Sequence, residues 1–182
     1  MNSALTFTGS PYTSFMHETK VTLSNGIELH VEIGGQPEHP VITLIMGLGA
    51  QLLFWPDFFC KSLIDQGYRV IRFDNRDIGL SSKIRHSGPR LNTFKLMGRF
   101  ALGLENQGAP YNLYDMAEDA ALLIDHLELD NVSVLGASMG GMIAQILAAR
   151  HPHKVSNLGL TTTCNNQPLL PPPSIKQLLS MI

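Results

Sequence analysis

Asn131-Val132-Ser133-Val134-Leu135 runs directly into Gly136-Ala137-Ser138-Met139-Gly140-Gly141. Val132, Val134 and Leu135 make the first five residues a short strand with an apolar side. The second stretch fits the pattern G-x-S-x-G, and the helix-forming run after it reaches His151 before Pro152 stops it. With Gly and Ser each at ~7% of residues, three fixed positions match by chance in about one chain in twenty of this length. The strand–turn–helix setting sharpens the signal. A serine at the apex of such a strained turn holds its hydroxyl clear of the sheet. Glycines at 136 and 140 leave room where strand and helix pass closely. The helix aims its first N–H groups and its positive dipole at the same place, which stabilises negative charge growing on a substrate carbonyl. Ser138 is therefore a candidate nucleophile. A plainer reading of the same residues is a tight turn whose serine caps the helix.

Upstream lies a second strand of the same kind, Val41-Ile42-Thr43-Leu44-Ile45, which runs into Met46-Gly47-Leu48-Gly49. In a sheet so built, one donor to an oxyanion comes from the loop after the earlier strand, and another from the residue after the nucleophile. That assigns the backbone N–H groups of Leu48 and Met139 to an oxyanion hole. A flexible turn is the alternative for Gly47 and Gly49. A helix follows, with Pro56 near its first turn, Gly67 past its end, and Phe58, Phe59 and Leu63 on its apolar side. Leu53, Phe54 and Trp55 either line an apolar pocket or belong to the core. Tyr68 to Phe73 reads as a strand ending at Asp74-Asn75-Arg76-Asp77-Ile78-Gly79-Leu80-Ser81.

The chain opens with Val21 and Leu23, then Ile27, Leu29, Val31 and Ile33, alternating with polar residues around Asn25-Gly26. This predicts an antiparallel hairpin on a two-residue type I′ turn. Residues 82–110 hold several glycines with Pro89 and Pro110, and read as a surface insertion. Asn112 is a good N-cap. Beyond it, Met116, Ala120, Leu123, Ile124 and Leu127 form one helical stripe, with Asp115 and Glu118 at the positive end of the helix dipole. A last strand covers Val155 to Thr162. No internal repeat is evident. Strands alternating with helices define an α/β fold: a mostly parallel sheet with helices on both faces, opened by the antiparallel hairpin.

Composition narrows the function. The 182 residues are 44% hydrophobic and 15% charged, against ~25% charged in an average chain, so a packed core is expected and disorder is not. A net charge of −2 argues against a nucleic-acid partner. The longest apolar stretch, Val41 to Ala50, is about ten residues where a membrane span needs ~20, and no signal-peptide core is visible near Met1. A cytoplasmic protein is the expectation. Cys60 and Cys164 make neither a disulfide scaffold nor a four-cysteine zinc site. The histidines fall in no metal-ligand spacing with acids, so neither metal nor cofactor is expected.

Taken together, the hairpin, the Met46–Gly49 loop, the Asp74–Ser81 segment (similar to the pattern D-x-R-G-x-G-x-S) and Gly136–Gly141 resemble the α/β-hydrolases from about Lys20 onward. The nearest resemblance is to small-molecule esterases related to aclacinomycin methylesterase. Met46 stands where many members carry His, and Asp77 where many carry Gly. A serine at the elbow, and not an aspartate, goes against dehalogenase and epoxide hydrolase chemistry. The resemblance implies a serine hydrolase acting on a carboxylic ester or similar acyl bond of a small molecule. It implies an N-terminal extension over 1–19, a hydrolase core over 20–165 and the start of a helical cap over 166–182.

The family orders its triad Ser, then Asp or Glu, then His. All 15 acids of this chain lie at or before Asp130, and only His151 and His153 follow Ser138. A rise of ~1.5 Å per residue puts His151 roughly 16 Å from Ser138, so Arg150 and His151 read as charges at a helix C-terminus. Of His17, His30, His39, His86 and His126, His30 faces away from the hairpin's apolar side. His126 lies in a helix among buried positions, and His86 alone is in a loop able to swing over the site. The expectation is an incomplete hydrolase whose acid and histidine lie beyond Ile182, leaving the last strand as an apolar edge. The alternatives are a catalytically inactive hydrolase-fold binding module and a split enzyme completed by a second polypeptide.

Overall fold

The computed structural model describes residues 8–9, 15–84 and 109–165. Most of the expected surface insertion, the expected cap segment and His86 lie outside the described residues. The chain divides into two compact units, 1–85 with 111–165 and 86–110 with 166–182. The first unit holds the sheet.

Its strands are β1 (Thr8–Gly9), β2 (Met16–Thr22), β3 (Glu28–Gly34), β4 (Val41–Ile45), β5 (Arg69–Phe73), β6 (Val132–Ala137) and β7 (Val155–Thr161). They form one sheet in the order β1-β2-β3-β5-β4-β6-β7. β1, β2, β3 and β5 pair antiparallel in succession. β5, β4, β6 and β7 are parallel. The helices are α1 (Asp57–Asp65), α2 (Leu113–His126) and α3 (Met139–Arg150), with a 3-10 turn at Leu52–Phe54.

The hairpin forms, but its turn differs from expectation. Val21 opposes Leu29 and Thr22 opposes Glu28, and the Leu23 N–H donates to the Ile27 carbonyl at 2.8 Å. The loop is thus Ser24–Gly26. Gly26 takes a left-handed φ of 84° and Asn25 does not, which excludes a type I′ turn. The cause is register. A two-residue turn would slip the pairing by one and set Val21 opposite His30, turning one strand's apolar side away from the other's.

The sheet is covered on both faces. Val21, Leu29, Val31 and Ile33 pack with Ile71, Phe73 and the buried faces of α2 and α3. On the other side Met16, Leu44, Trp55, Cys60 and Val70 form a second core. Trp55 is therefore a core residue, whereas Phe54 is exposed. Phe58 is also exposed, contrary to its expected place on the apolar side of α1. That helix buries Cys60, with Phe59, Leu63 and Ile64 partly covered, and Phe58 lies two residues from Cys60, on the far side of a 3.6-residue turn. The α2 stripe buries Met116, Ala120, Leu123 and Ile124 as read from the sequence. Its N-terminus is closed by a capping box between Asn112 and Asp115.

Candidate active site

Ser138 is the single residue between β6, which runs two residues past Leu135, and α3, which begins at Met139. So abrupt a reversal forces an unusual backbone: φ is 53° and ψ −123°. A non-glycine residue held there stores roughly 1–3 kcal/mol, which its surroundings must over-determine. They do so with hydrogen bonds. The Ser138 N–H donates to the Thr161 carbonyl at 3.0 Å. The Ser138 carbonyl accepts from Gly141 N at 2.9 Å and from Thr163 Oγ1 at 2.7 Å. The residue is exposed and its side chain makes no capping hydrogen bond to α3. The helix-capping alternative therefore fails, because a capping serine bonds the N–H of the second or third helical residue.

Three backbone segments converge on this turn. A Cβ at Gly140 would overlap the carbonyl groups of Ile45 and Met46, and one at Gly136 would overlap the backbone of Gly140 and Gly141. A Cβ at Gly47 would lie 3.0 Å from Ser138 Cβ and 3.5 Å from its Oγ. The loop after β4 thus lies against the serine. Leu48 follows Gly47 and is 77% exposed. Met139 is the first residue of α3, and the first N–H groups of a helix have no intrahelical partner. Ser138, the Gly47–Leu48 loop and Met139 are thereby brought together.

The other sequence candidates fall elsewhere. His151 ends α3, with Nε2 3.1 Å from Glu118 Oε2. Arg150 sits over the Tyr114 ring. His126 is exposed at the end of α2. Cys60 is buried, and burial pushes its thiol above its ordinary value. Among the described residues no cluster of three or more His, Cys, Asp or Glu is arranged to hold a metal ion, and no helix is long and apolar enough to cross a membrane. Asp77, where the resembling family carries Gly, has a φ of 67°.

Two features near the site were missed from sequence. His30 does face away from the apolar side of the hairpin, but that face is covered too and the ring is buried. Asp74 and Asn75 reach both ends of the loop that holds Gly47. The sequence signals were the resemblance of Asp74–Ser81 to a family pattern and its place at the end of β5, where loops carry function in parallel sheets; neither shows what the two side chains hold.

Residues 40–182 match the alpha/beta hydrolase fold family, and the chain belongs to that family. It is 30% identical over 140 residues to rhodomycin D methylesterase DnrP of Streptomyces peucetius, covering 77% of this chain and 40% of that protein. It is 26% identical to a putative carbamate hydrolase, RutD, of Variovorax paradoxus, covering 72% and 41%. Among solved structures it is similar to the enol-lactonase of Burkholderia xenovorans LB400, with a TM-score of 0.62, 27% identity, and coverage of 79% of this chain and 46% of that one. The chain thus spans less than half the length of these proteins.

Proposed function

We propose that Ser138 is the nucleophile of a serine hydrolase that cleaves a carboxylic ester or related acyl bond of a small molecule. The observation that carries this reading is the backbone of Ser138: left-handed between strand and helix, with an exposed hydroxyl that caps nothing and Gly47 packed against it. Ser138 Oγ attacks the acyl carbon, the carbonyl oxygen gains the charge, and the backbone N–H groups of Leu48 and Met139 receive it. One such donor is worth ~3 kcal/mol of transition-state stabilisation. The methylesterase and enol-lactonase named above fit an ester-type substrate. No cofactor or metal enters this chemistry.

A serine hydroxyl needs a general base, and the base an orienting acid. No Asp or Glu follows Ser138 in these 182 residues, and the two histidines that do follow it, His151 and His153, stand at the far end of α3. The test is labelling with a fluorophosphonate probe, for this chain and for any longer product of its gene, each beside Ser138→Ala. Prompt labelling of the longer form at Ser138 alone is expected. The 182-residue chain should show only slow ester turnover, the ~10³–10⁴-fold over water left by oxyanion donors and binding without the triad, and Ser138→Ala should retain it. Absence of labelling in both forms replaces this reading with an inactive binding module.

A further inference from the structure

We propose that Asp74 and Asn75 are positioning residues for the loop Met46–Gln51, and that His30, bridging Asp74 and Glu18, holds the Asp74 carboxylate in that task. The loop carries Gly47 and Gly49 and has no regular structure before Leu52. Left to itself it would wander, yet an oxyanion donor displaced by ~1 Å can cost on the order of 10²-fold in rate. Two consecutive side chains tie it at both ends. Asn75 Nδ2 donates to the Met46 carbonyl at 2.9 Å. The Leu52 N–H donates to Asp74 Oδ1 at 2.8 Å. One side chain thus reaches the start of the loop and the other its end.

Asp74 is itself held. Its Oδ2 accepts from the Leu80 N–H at 3.0 Å and lies 3.0 Å from His30 Nδ1. His30 Nε2 lies 2.9 Å from Glu18 Oε1. A carboxylate only accepts, so a ring with a carboxylate on each nitrogen donates from both and is an imidazolium. The charges around it leave it no other role. On its own strand the neighbours on the same face are Glu28 and Glu32; on β2 they are Glu18 and Lys20; on the β5 side they are Arg72 and Asp74. Lys20 pairs with Glu28 and Arg72 with Glu32, which leaves Glu18 and Asp74 to His30. Burial alone would push the imidazole down, but its bonds to and the charges of Asp74 and Glu18 outweigh this and hold it above its ordinary value. Burial would raise Asp74, but His30 and the N–H groups of Leu52 and Leu80 hold it below the usual range. The clasp is therefore intact from above the lowered range of Asp74 up to the ordinary imidazole value of 6.5, and opens as pH rises through the raised imidazole value.

The catalytic meaning of the clamp rests on the function proposed above; the clamp itself does not. The test uses the ¹⁵N-labelled 182-residue chain. Ring spectra of His30 are expected to show both nitrogens protonated at pH 6, and a titration midpoint above the ordinary 6.5. Asn75→Ala is expected to speed exchange of the Ala50 amide, which donates to Gly47 within the loop, about five- to tenfold, as loss of one hydrogen bond implies. His30→Gln should do the same at Leu52 and Leu80, with α2 amides unchanged in both variants. In the wild type, Leu52 protection, corrected for intrinsic exchange, should fall along the His30 titration. A His30 midpoint at or below 6.5, wild-type loop exchange in Asn75→Ala, or Leu52 protection indifferent to the His30 titration each overturns the proposal. If His30→Gln does not fold, the other two measurements carry the test. A clamped loop beside a serine that never labels refutes the function and leaves the clamp; a labelling serine beside a loose loop refutes the clamp.

Discussion

Asp77 shows how one residue accommodates a backbone made for another. Its φ of 67° lies where glycine is at ease and a side chain costs ~1–2 kcal/mol, which is why glycine serves at this position in the resembling pattern. Here the carboxylate offsets that cost by accepting from the Ile84 N–H at 2.6 Å and by bonding Tyr111. Asp77→Gly and Asp77→Ala lose the same bonds, but only Ala keeps the strain. Urea denaturation is expected to find Asp77→Ala the less stable by about 1 kcal/mol; equal stabilities would mean that the strain is not there. Burial and the bond to Asp77 also push the Tyr111 phenol up to about 12. A raised acid is bound more tightly in the folded chain, so this contribution is whole below pH 10, the ordinary phenol value, and is lost as pH climbs through about 12. Ultraviolet titration should find one tyrosine that ionises only at about pH 12, and should find it ionising earlier in Asp77→Ala.

At the scale of elements, the legible parts were those whose causes are local. Asn112 announces α2 because its side chain accepts from N–H groups two and three residues on. The alternation of Leu29, Val31 and Ile33 announces β3 because side chains alternate across a strand. The same alternation misled on the other side of β3. From sequence His30 reads only as facing away from the apolar side, yet it and Glu32 on the same side are buried, because their partners come from β2 and β5, outside any local pattern. The deepest of these pairs is Arg72 with Glu32, both fully buried. Arg72 Nε donates to Glu32 at 2.8 Å, and Nη1 donates to the Trp55 carbonyl at 2.6 Å, which joins β5 to the end of the 3-10 turn. Arg72→Met leaves a carboxylate buried without its cation and is expected to cost about 3–5 kcal/mol, whereas Arg72→Met with Glu32→Leu should recover much of that. A double-mutant cycle in urea checks the pair. A double variant no more stable than Arg72→Met would show that Arg72 matters through Trp55 and not through Glu32.

For the whole molecule, the turn at Ser138 was legible from three residues and its flanks because it is a local device, and the loop at Gly47 because it ends the neighbouring strand β4, which pairs with β6. The clasp of His30 was not, since Glu18 and Asp74 meet it only once three strands are laid side by side. The sequence marks the last strand as an apolar edge, and among the described residues β7 pairs with β6 alone. Its Leu158 and Leu160 are 40% and 45% exposed, and a strand edge with unpaired N–H and C=O groups is a template for another chain. The central sheet should therefore drive self-association of the 182-residue chain through this edge. A lysine is the usual means by which proteins blunt such an edge, since burying its charge against a second sheet is unfavourable. Sedimentation over a range of concentrations is expected to find the wild type associating and Leu160→Lys less so, with the α2 and α3 amides equally protected in both. A wild type that stays monomeric, or a variant that associates equally well, would place the association-prone surface elsewhere or show that β7 is covered.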